Sequence, residues 1–138
     1  MSRKQKKILI VDDDEAVREV MRVTLELLAG WAVSAAGSGK EGIDLAKAEP
    51  PDAILLDVMM PEMDGPATLK ELCSNPATRQ IPVIFLTAKA RAAQIQWLRS
   101  LGTKGVIPKP FDPLTLASEI EAALGWAPEQ ETVAERNT

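Results

Sequence analysis

Short apolar runs of three to six residues recur along the chain, separated by longer stretches with a helical pattern. Five such runs are candidate strands, at residues 8–11, 31–36, 53–56, 82–86 and 105–107. Continuous apolar runs of this length are typical of strands that are buried on both faces of a parallel sheet. The second run, WAVSAA, is the weakest, because small and polar residues replace the larger apolar ones.

The stretches between the runs carry the start and stop signals of helices. The first has an apolar stripe at helical spacing, made of Val17, Val20, Met21, Leu25 and Leu28. Candidate N-caps of the first, second, third and fifth helices are Asp14, Ser38, Asp64 and Asp112. Pro113 is expected to open the fifth helix, and the fourth is predicted over residues 90–101.

Strand and helix signals thus alternate five times. This pattern predicts an α/β fold, a (βα)5 doubly wound parallel sheet of five strands with helices on both faces. Residues 1–125 are predicted to form one domain, and residues 126–138 a polar tail. Trp126, at the start of that tail, can pack on the domain.

Composition narrows the function classes. The net charge of −4 and the sequence pI of about 4.9 argue against a nucleic-acid-binding surface. No apolar stretch approaches the ~20 residues of a membrane span, and the basic start MSRKQKK lacks the pattern of a signal peptide. We therefore expect a cytoplasmic protein with no membrane partner.

The chain has no histidine, which excludes histidine-based catalysis and histidine-ligated zinc. The side chains that remain for chemistry are suited to Mg²⁺ or Ca²⁺.

Carboxylates follow two of the predicted strands. Asp12, Asp13 and Asp14 come after the first run, and Asp57 comes after the third. Ligands collect beyond the carboxyl ends of the strands in open α/β sheets, so these acids are expected to share a pocket. One aspartate gains about 1 kcal/mol as a helix cap. Two carboxylates ~5 Å apart repel by about 3 kcal/mol at an effective dielectric constant of ~20. The cluster therefore predicts a bound cation.

The other strand ends carry a hydroxyl and an ammonium group, at Thr87 and Lys109. The strings ILIVDDD, LLDVMMPEMDG, FLTAKA and PKPF occur in this order, each at a strand end. Together they resemble the motifs of response-regulator receiver domains, the CheY-like phosphoacceptors of two-component signalling. The resemblance covers about residues 7–124. It implies the flavodoxin-like strand order 2-1-3-4-5.

The resemblance also implies roles for single residues. Asp57 is the implied phosphoacceptor, and the implied cofactor is Mg²⁺. Its ligands are Asp12, Asp13, Asp57 and the backbone carbonyl of Met59. Mg²⁺ prefers oxygen ligands of this kind and usually keeps several waters.

Two further side chains are implied to contact the phosphoryl group. Thr87 donates its hydroxyl to a phosphoryl oxygen, and Lys109 pairs with another. Receivers commonly hold the bond before the following proline in the cis form, so we predict a cis peptide bond between Lys109 and Pro110.

Four positions are expected to modulate the switch: Met59, Ala88, Lys89 and Val106. Many receivers have an aromatic residue where this chain has Val106. Met59 and Lys89 occupy the positions that flank the hydrolytic water in the family. Because Met59 cannot orient a water, we expect slow self-dephosphorylation.

The expected function is that of a stand-alone response regulator. A sensor histidine kinase or a histidine phosphotransfer protein supplies the phosphoryl group. A downstream protein then binds the face of the fourth helix, fifth strand and fifth helix, or the phosphoryl group is relayed onward. The chain is then no enzyme beyond its own phosphorylation and dephosphorylation.

Two alternatives stay open. One is a pseudo-receiver, a binding module that never accepts phosphate. The other is a haloacid-dehalogenase-like Mg²⁺ phosphatase with Asp12 as nucleophile, since residues 12–14 have the D-x-D spacing. That family has Thr or Val where this chain has Ala16, and its late acidic pair has no counterpart here.

Overall fold

The computed structural model describes residues 5–88 and 91–126. Within them, five strands form one sheet in the order β2-β1-β3-β4-β5, and every neighbouring pair is parallel. The strands are β1 (Lys7–Val11), β2 (Ala32–Ala36), β3 (Ala53–Asp57), β4 (Val83–Thr87) and β5 (Gly105–Pro108). The predicted fold class and strand order are confirmed.

Helices alternate with the strands, and the last helix follows β5. They are α1 (Glu15–Thr24), α2 (Gly39–Ala48), α3 (Gly65–Ser74), α4 (Ala92–Arg99) and α5 (Leu116–Leu124). The expected caps of the first three are confirmed, because the side chains of Asp14, Ser38 and Asp64 accept hydrogen bonds from backbone amides of the first turn.

The start predicted for α5 was wrong. Asp112 accepts a hydrogen bond from the Leu114 amide at 2.9 Å, and its carbonyl accepts one from the Thr115 amide at 3.1 Å. These bonds close a turn before the helix, so α5 begins at Leu116 and not at Pro113.

The sheet separates two apolar cores because strand residues alternate between its faces. Leu9, Ile54 and Phe85 belong to the core that α2, α3 and α4 cover. The core under α1 and α5 includes Ile10 and Leu55. Both β3 and β4 are buried along their whole length, which explains their continuous apolar sequences.

The apolar stripe predicted for the first helix is only partly buried. Met21 and Leu25 lie in the core, whereas Val20 is 48% exposed and Leu28 is 60% exposed. Val20 lies about 100° around the helix from Met21, outside the core-facing side. Leu28 belongs to a π-helical segment, Leu25–Ala29, that follows α1. The wider π turn changes the direction of its side chains.

Trp126 anchors the end of the described chain. Its ring packs edge-to-face on Trp31, with 5.5 Å between ring centroids, and the Lys6 Nζ atom lies 4.5 Å from its centroid. The rest of the predicted tail, residues 127–138, lies outside the described residues. Among the described residues, no helix is long and apolar enough to span a membrane.

Candidate phosphoacceptor and metal site

Three aspartates meet at the carboxyl ends of the adjacent strands β1 and β3. Asp57 is the last residue of β3, and Asp12 and Asp13 follow Val11, the last residue of β1. One carboxylate oxygen from each lies within 4.8 Å of the other two. Asp12 is fully buried and Asp57 is 5% exposed, whereas Asp13 faces solvent. The arrangement is a partly buried acidic pocket with one open side.

Asp12 is held at three of its oxygens. Its Oδ1 accepts a hydrogen bond from the Asp14 amide at 2.9 Å, and its Oδ2 accepts one from Lys109 Nζ at 2.8 Å. Its backbone carbonyl accepts one from Arg18 Nη1 at 2.8 Å. A buried carboxylate needs such partners, because burying an unpaired charge is costly.

Lys109 joins two of the acids. Its Nζ lies 2.8 Å from Asp12 Oδ2 and 3.1 Å from Asp57 Oδ1. The Lys109 amide donates to the carbonyl of Thr87 at 2.7 Å, which places the loop after β5 beside the end of β4. Burial lowers the pKa of Lys109, but hydrogen bonds and charges from Asp12 and Asp57 outweigh burial and raise this pKa above its usual value. Lys109 is therefore a fixed cation in the pocket.

The pKa of Asp57 is raised to about 6. Burial is the largest cause and the negative charge of Asp12 the next, while Lys109 partly offsets both. Ionisation of the Asp57 carboxyl in the folded chain therefore costs free energy. A cation among the three acids offsets that cost, and hard carboxylate oxygens fit Mg²⁺.

The other predicted site residues lie as follows. Thr87, at the end of β4, is buried, with 2% exposure. It follows Leu86, which pairs with Asp57 in the ladder between β3 and β4, so Thr87 is at the same edge of the sheet. The bond between Lys109 and Pro110 is cis, as predicted.

Three of the four modulating positions lie in the described residues. Met59 is 56% exposed, and Ala88 is exposed. Val106, on β5, is half-buried and packs against the core that α2, α3 and α4 cover. Lys89 lies outside the described residues.

Sequence reasoning missed Gly65. A Cβ atom on this residue would lie 2.6 Å from the Asp57 carbonyl oxygen and 2.8 Å from Val58 Cα. The Gly65 amide donates to the Val58 carbonyl at 2.9 Å, so α3 begins in direct contact with the strand end that carries Asp57. A glycine in the first turn of a helix, where helix propensity disfavours it, is the sequence signal that was available.

Arg18 was missed as well. The position of Arg18 in the sequence does not predict its role, because its hydrogen bond to the Asp12 carbonyl depends on how α1 packs on β1. A single arginine on a polar helix surface is ordinarily a solvated residue.

Comparison with known proteins supports the family resemblance seen in the sequence motifs. Residues 8–121 match the family model described as response regulator receiver domain. The response regulator MprA of Mycolicibacterium vanbaalenii is 37% identical over 118 residues, which are 86% of this chain and 50% of that protein. A probable transcriptional regulator, ycf27 of Guillardia theta, is 34% identical over 87% of this chain and 46% of its own length. The chain thus spans about half the length of the curated relatives it matches.

Solved structures agree with the fold. The chemotaxis protein CheY4 of Vibrio cholerae superposes with a TM-score of 0.80 at 30% identity, over 87% of this chain and 99% of that one. The N-terminal domain of a response regulator receiver protein from Methanoculleus marisnigri has a TM-score of 0.72 at 36% identity, over 90% and 100% of the two chains. Two-component receivers of this type bind Mg²⁺ at an acidic pocket, and the Asp12, Asp13 and Asp57 cluster fits that pattern. The chain belongs to the response regulator receiver domain family, with a CheY-type fold.

Proposed function

We propose that this receiver accepts a phosphoryl group on Asp57 from the phosphohistidine of a histidine kinase or a phosphotransfer protein, in a reaction that requires Mg²⁺. The observation that carries the proposal is the position of Asp57. It is a buried carboxylate with Asp12 and Asp13 within 4.8 Å and the Lys109 ammonium 3.1 Å away. This set supplies a nucleophile and the means to neutralise phosphoryl charge.

The transfer itself needs little covalent chemistry from the protein. A carboxylate oxygen of Asp57 forms a bond to phosphorus while the bond between phosphorus and the donor imidazole nitrogen breaks. The imidazole keeps the electron pair and takes up a proton. The product is an acyl phosphate, and the remaining contribution of the site is positioning and charge stabilisation.

Asp12, Asp13, Asp57 and the backbone carbonyl of Met59 are the residues that we propose hold the metal. When bound, Mg²⁺ supplies positive charge to the phosphoryl oxygens. Asp12 and Asp57 now share the Lys109 ammonium, so the acid pair already has one cationic partner at the place where charge develops.

Lys109 and Thr87 are proposed to respond to the new group. A phosphoryl group adds about −1.5 to −2 units of charge. Lys109 then exchanges its contact with the Asp57 carboxylate for a phosphoryl oxygen, and the Thr87 hydroxyl donates to another. Both residues stand at strand ends next to α4 and β5, so their movement biases the equilibrium between two surface arrangements there.

The responding surface is proposed to be the face of α4, β5 and α5. A groove of about 610 Å³ lies there, lined in part by Arg99, Lys104 and Val106. Trp97 is 53% exposed and gives α4 an exposed apolar side chain. Since Val106 replaces an aromatic side chain, switching in this chain is proposed to proceed by movement of α4 rather than by burial of a ring.

We also propose that residues 1–125 act as the receiver domain, working by contact with a downstream protein or by relay of the phosphoryl group, in the cytoplasm. The sequence is acidic overall, with a net charge of −4, which supports a protein target rather than DNA for this region. Its only chemistry is proposed to be its own phosphorylation and dephosphorylation.

Intact-mass measurement after incubation with acetyl phosphate and Mg²⁺ tests the proposal. The wild-type chain should gain the mass of one phosphoryl group, and Asp57→Asn should gain none. Asp44→Asn, which changes an exposed acid on α2, is the matched control and should label like the wild type. A chain that takes no label in Mg²⁺ is a pseudo-receiver. Loss of label in Asp12→Asn but not in Asp57→Asn, with turnover of phosphate esters, indicates the phosphatase alternative.

A further inference from the structure

Arg18 makes an unusual contact beside the acidic pocket. Its Nη1 donates to the carbonyl oxygen of Asp12 at 2.8 Å, although Asp13 and Asp14 follow directly in the sequence. The guanidinium thus binds the backbone of the acidic turn. The amide of the same residue, Asp12, donates to the Ala36 carbonyl of β2 at 3.1 Å. Together these two bonds fix the peptide groups on both sides of Asp12.

The peptide that Arg18 holds is the one that leads into Asp13. In the described part of the chain no hydrogen bond is made to the Asp13 carboxylate, which faces solvent, so its direction follows from the backbone before it. The Asp12 side chain, by contrast, has its own partners in the Asp14 amide and Lys109. Of the three clustered acids, Asp13 therefore depends most on the backbone contact.

The surroundings keep the guanidinium in place. A Cβ atom on Gly37 would lie 3.1 Å from Arg18 Nη1 and 3.6 Å from its Cζ, so the side chain passes closely over the loop between β2 and α2. The Glu41 carboxylate accepts a hydrogen bond from the Gly37 amide at 2.7 Å on the same side of that loop. Arg18 is half-buried, and its contact joins α1, the end of β1 and this loop.

We propose that Arg18 is a positioning residue for magnesium, which directs the Asp13 carboxylate toward the metal by holding the Asp12–Asp13 peptide. The inference rests on the proposed function, because it concerns the same metal. Residues that orient metal ligands typically change metal affinity by 10- to 100-fold when they are replaced.

The sign of the effect separates positioning from simple electrostatics. Arg18 carries a positive charge near the pocket, and a positive charge repels a divalent cation. If charge were its only influence, its removal would strengthen Mg²⁺ binding. Positioning predicts the opposite result.

Calorimetric titration of the full chain with MgCl₂ tests the inference. Arg18→Met should weaken Mg²⁺ binding by about tenfold. Arg18→Lys should recover part of the loss, because an ammonium group can still donate to the carbonyl. The matched control is Arg22→Met, which removes the same charge from the same helix, where Arg22 pairs with Glu19 and Glu26. It should bind Mg²⁺ as the wild type does.

A second variant keeps the charge and crowds the guanidinium. Gly37→Ala adds the Cβ atom described above, so it should weaken Mg²⁺ binding in the same direction as Arg18→Met, by a smaller factor. Unfolding curves on each variant show whether the fold is retained. Equal or tighter Mg²⁺ binding by folded Arg18→Met overturns the inference. If the wild-type chain itself binds no Mg²⁺, it is the proposed function that fails.

Discussion

Replacing Asp57 by asparagine is expected to change how stability depends on pH. The pKa of the Asp57 carboxyl is raised in the folded chain from its ordinary 3.8 to about 6, chiefly by burial and by the charge of Asp12. A raised folded-state pKa contributes stability that is fully present below about pH 4 and is lost as the pH rises through 6. At pH 8 the folded chain therefore holds a carboxylate that the unfolded chain accommodates better.

The magnitude follows from the two pKa values. A difference of about two units corresponds to about 3 kcal/mol across the full titration. Between pH 8 and pH 5, the free energy of unfolding of the wild type rises by only part of this amount, about 1.4 kcal/mol. Asparagine does not titrate, so the stability of Asp57→Asn relative to the wild type should fall by about 1.4 kcal/mol over the same interval. Losses of stability that do not depend on pH, such as the loss of the contact with Lys109, largely cancel when the two pH values are compared.

The assay is urea unfolding of both proteins in EDTA at pH 8 and pH 5, followed by circular dichroism. Asp44→Asn is the control, because it makes the same substitution at an exposed acid on α2 that pairs with Lys40. A stability of Asp57→Asn relative to the wild type that stayed constant, or rose, from pH 8 to pH 5 would refute the reasoning.

Three further predictions concern the same pocket. Lys109→Met should lose about 3 kcal/mol of stability at pH 8 in EDTA, because Asp12 and Asp57 lose their shared partner. In urea unfolding, Mg²⁺ should then stabilise the variant more than it stabilises the wild type. Equal stabilisation of the two proteins would contradict the role of Lys109 as the cation that Asp12 and Asp57 share. Gly65→Ala should lose about 1–3 kcal/mol of stability and react more slowly with acetyl phosphate, because the added Cβ atom would lie 2.6 Å from the Asp57 carbonyl oxygen. Labelling and stability equal to those of the wild type would show that α3 can shift to make room for the Cβ atom. Met59→Asn should shorten the lifetime of the phosphorylated chain several-fold in a mass-spectrometric time course, and an unchanged decay would exclude shielding by Met59.

Much of the fold could be predicted from the sequence, because local signals agree with the tertiary structure. The runs that became β3 and β4 are continuous and apolar, and both strands are buried throughout. Asp14, Ser38 and Asp64 cap helices where expected. The strand order, however, came from the family resemblance, since alternation of strands and helices alone does not determine it.

What the sequence did not reveal depends on contacts between distant segments. Gly65 lies against the backbone of Asp57, and Arg18 binds the carbonyl of Asp12, but both contacts exist only after α3 and α1 have packed on the sheet. The exposure of Leu28 follows from a π turn, which a 3.6-residue period does not predict. Asp112 has the side chain of a helix cap but closes a turn instead.

Mapping the phosphorylated residue by tandem mass spectrometry, after labelling with a phosphohistidine donor with and without EDTA, tests the central claim most directly. The proposed function predicts one phosphoaspartate, at Asp57, which forms only when Mg²⁺ is available. Label on Asp12 or Asp13, or label on Asp57 that forms equally well in EDTA, would contradict it.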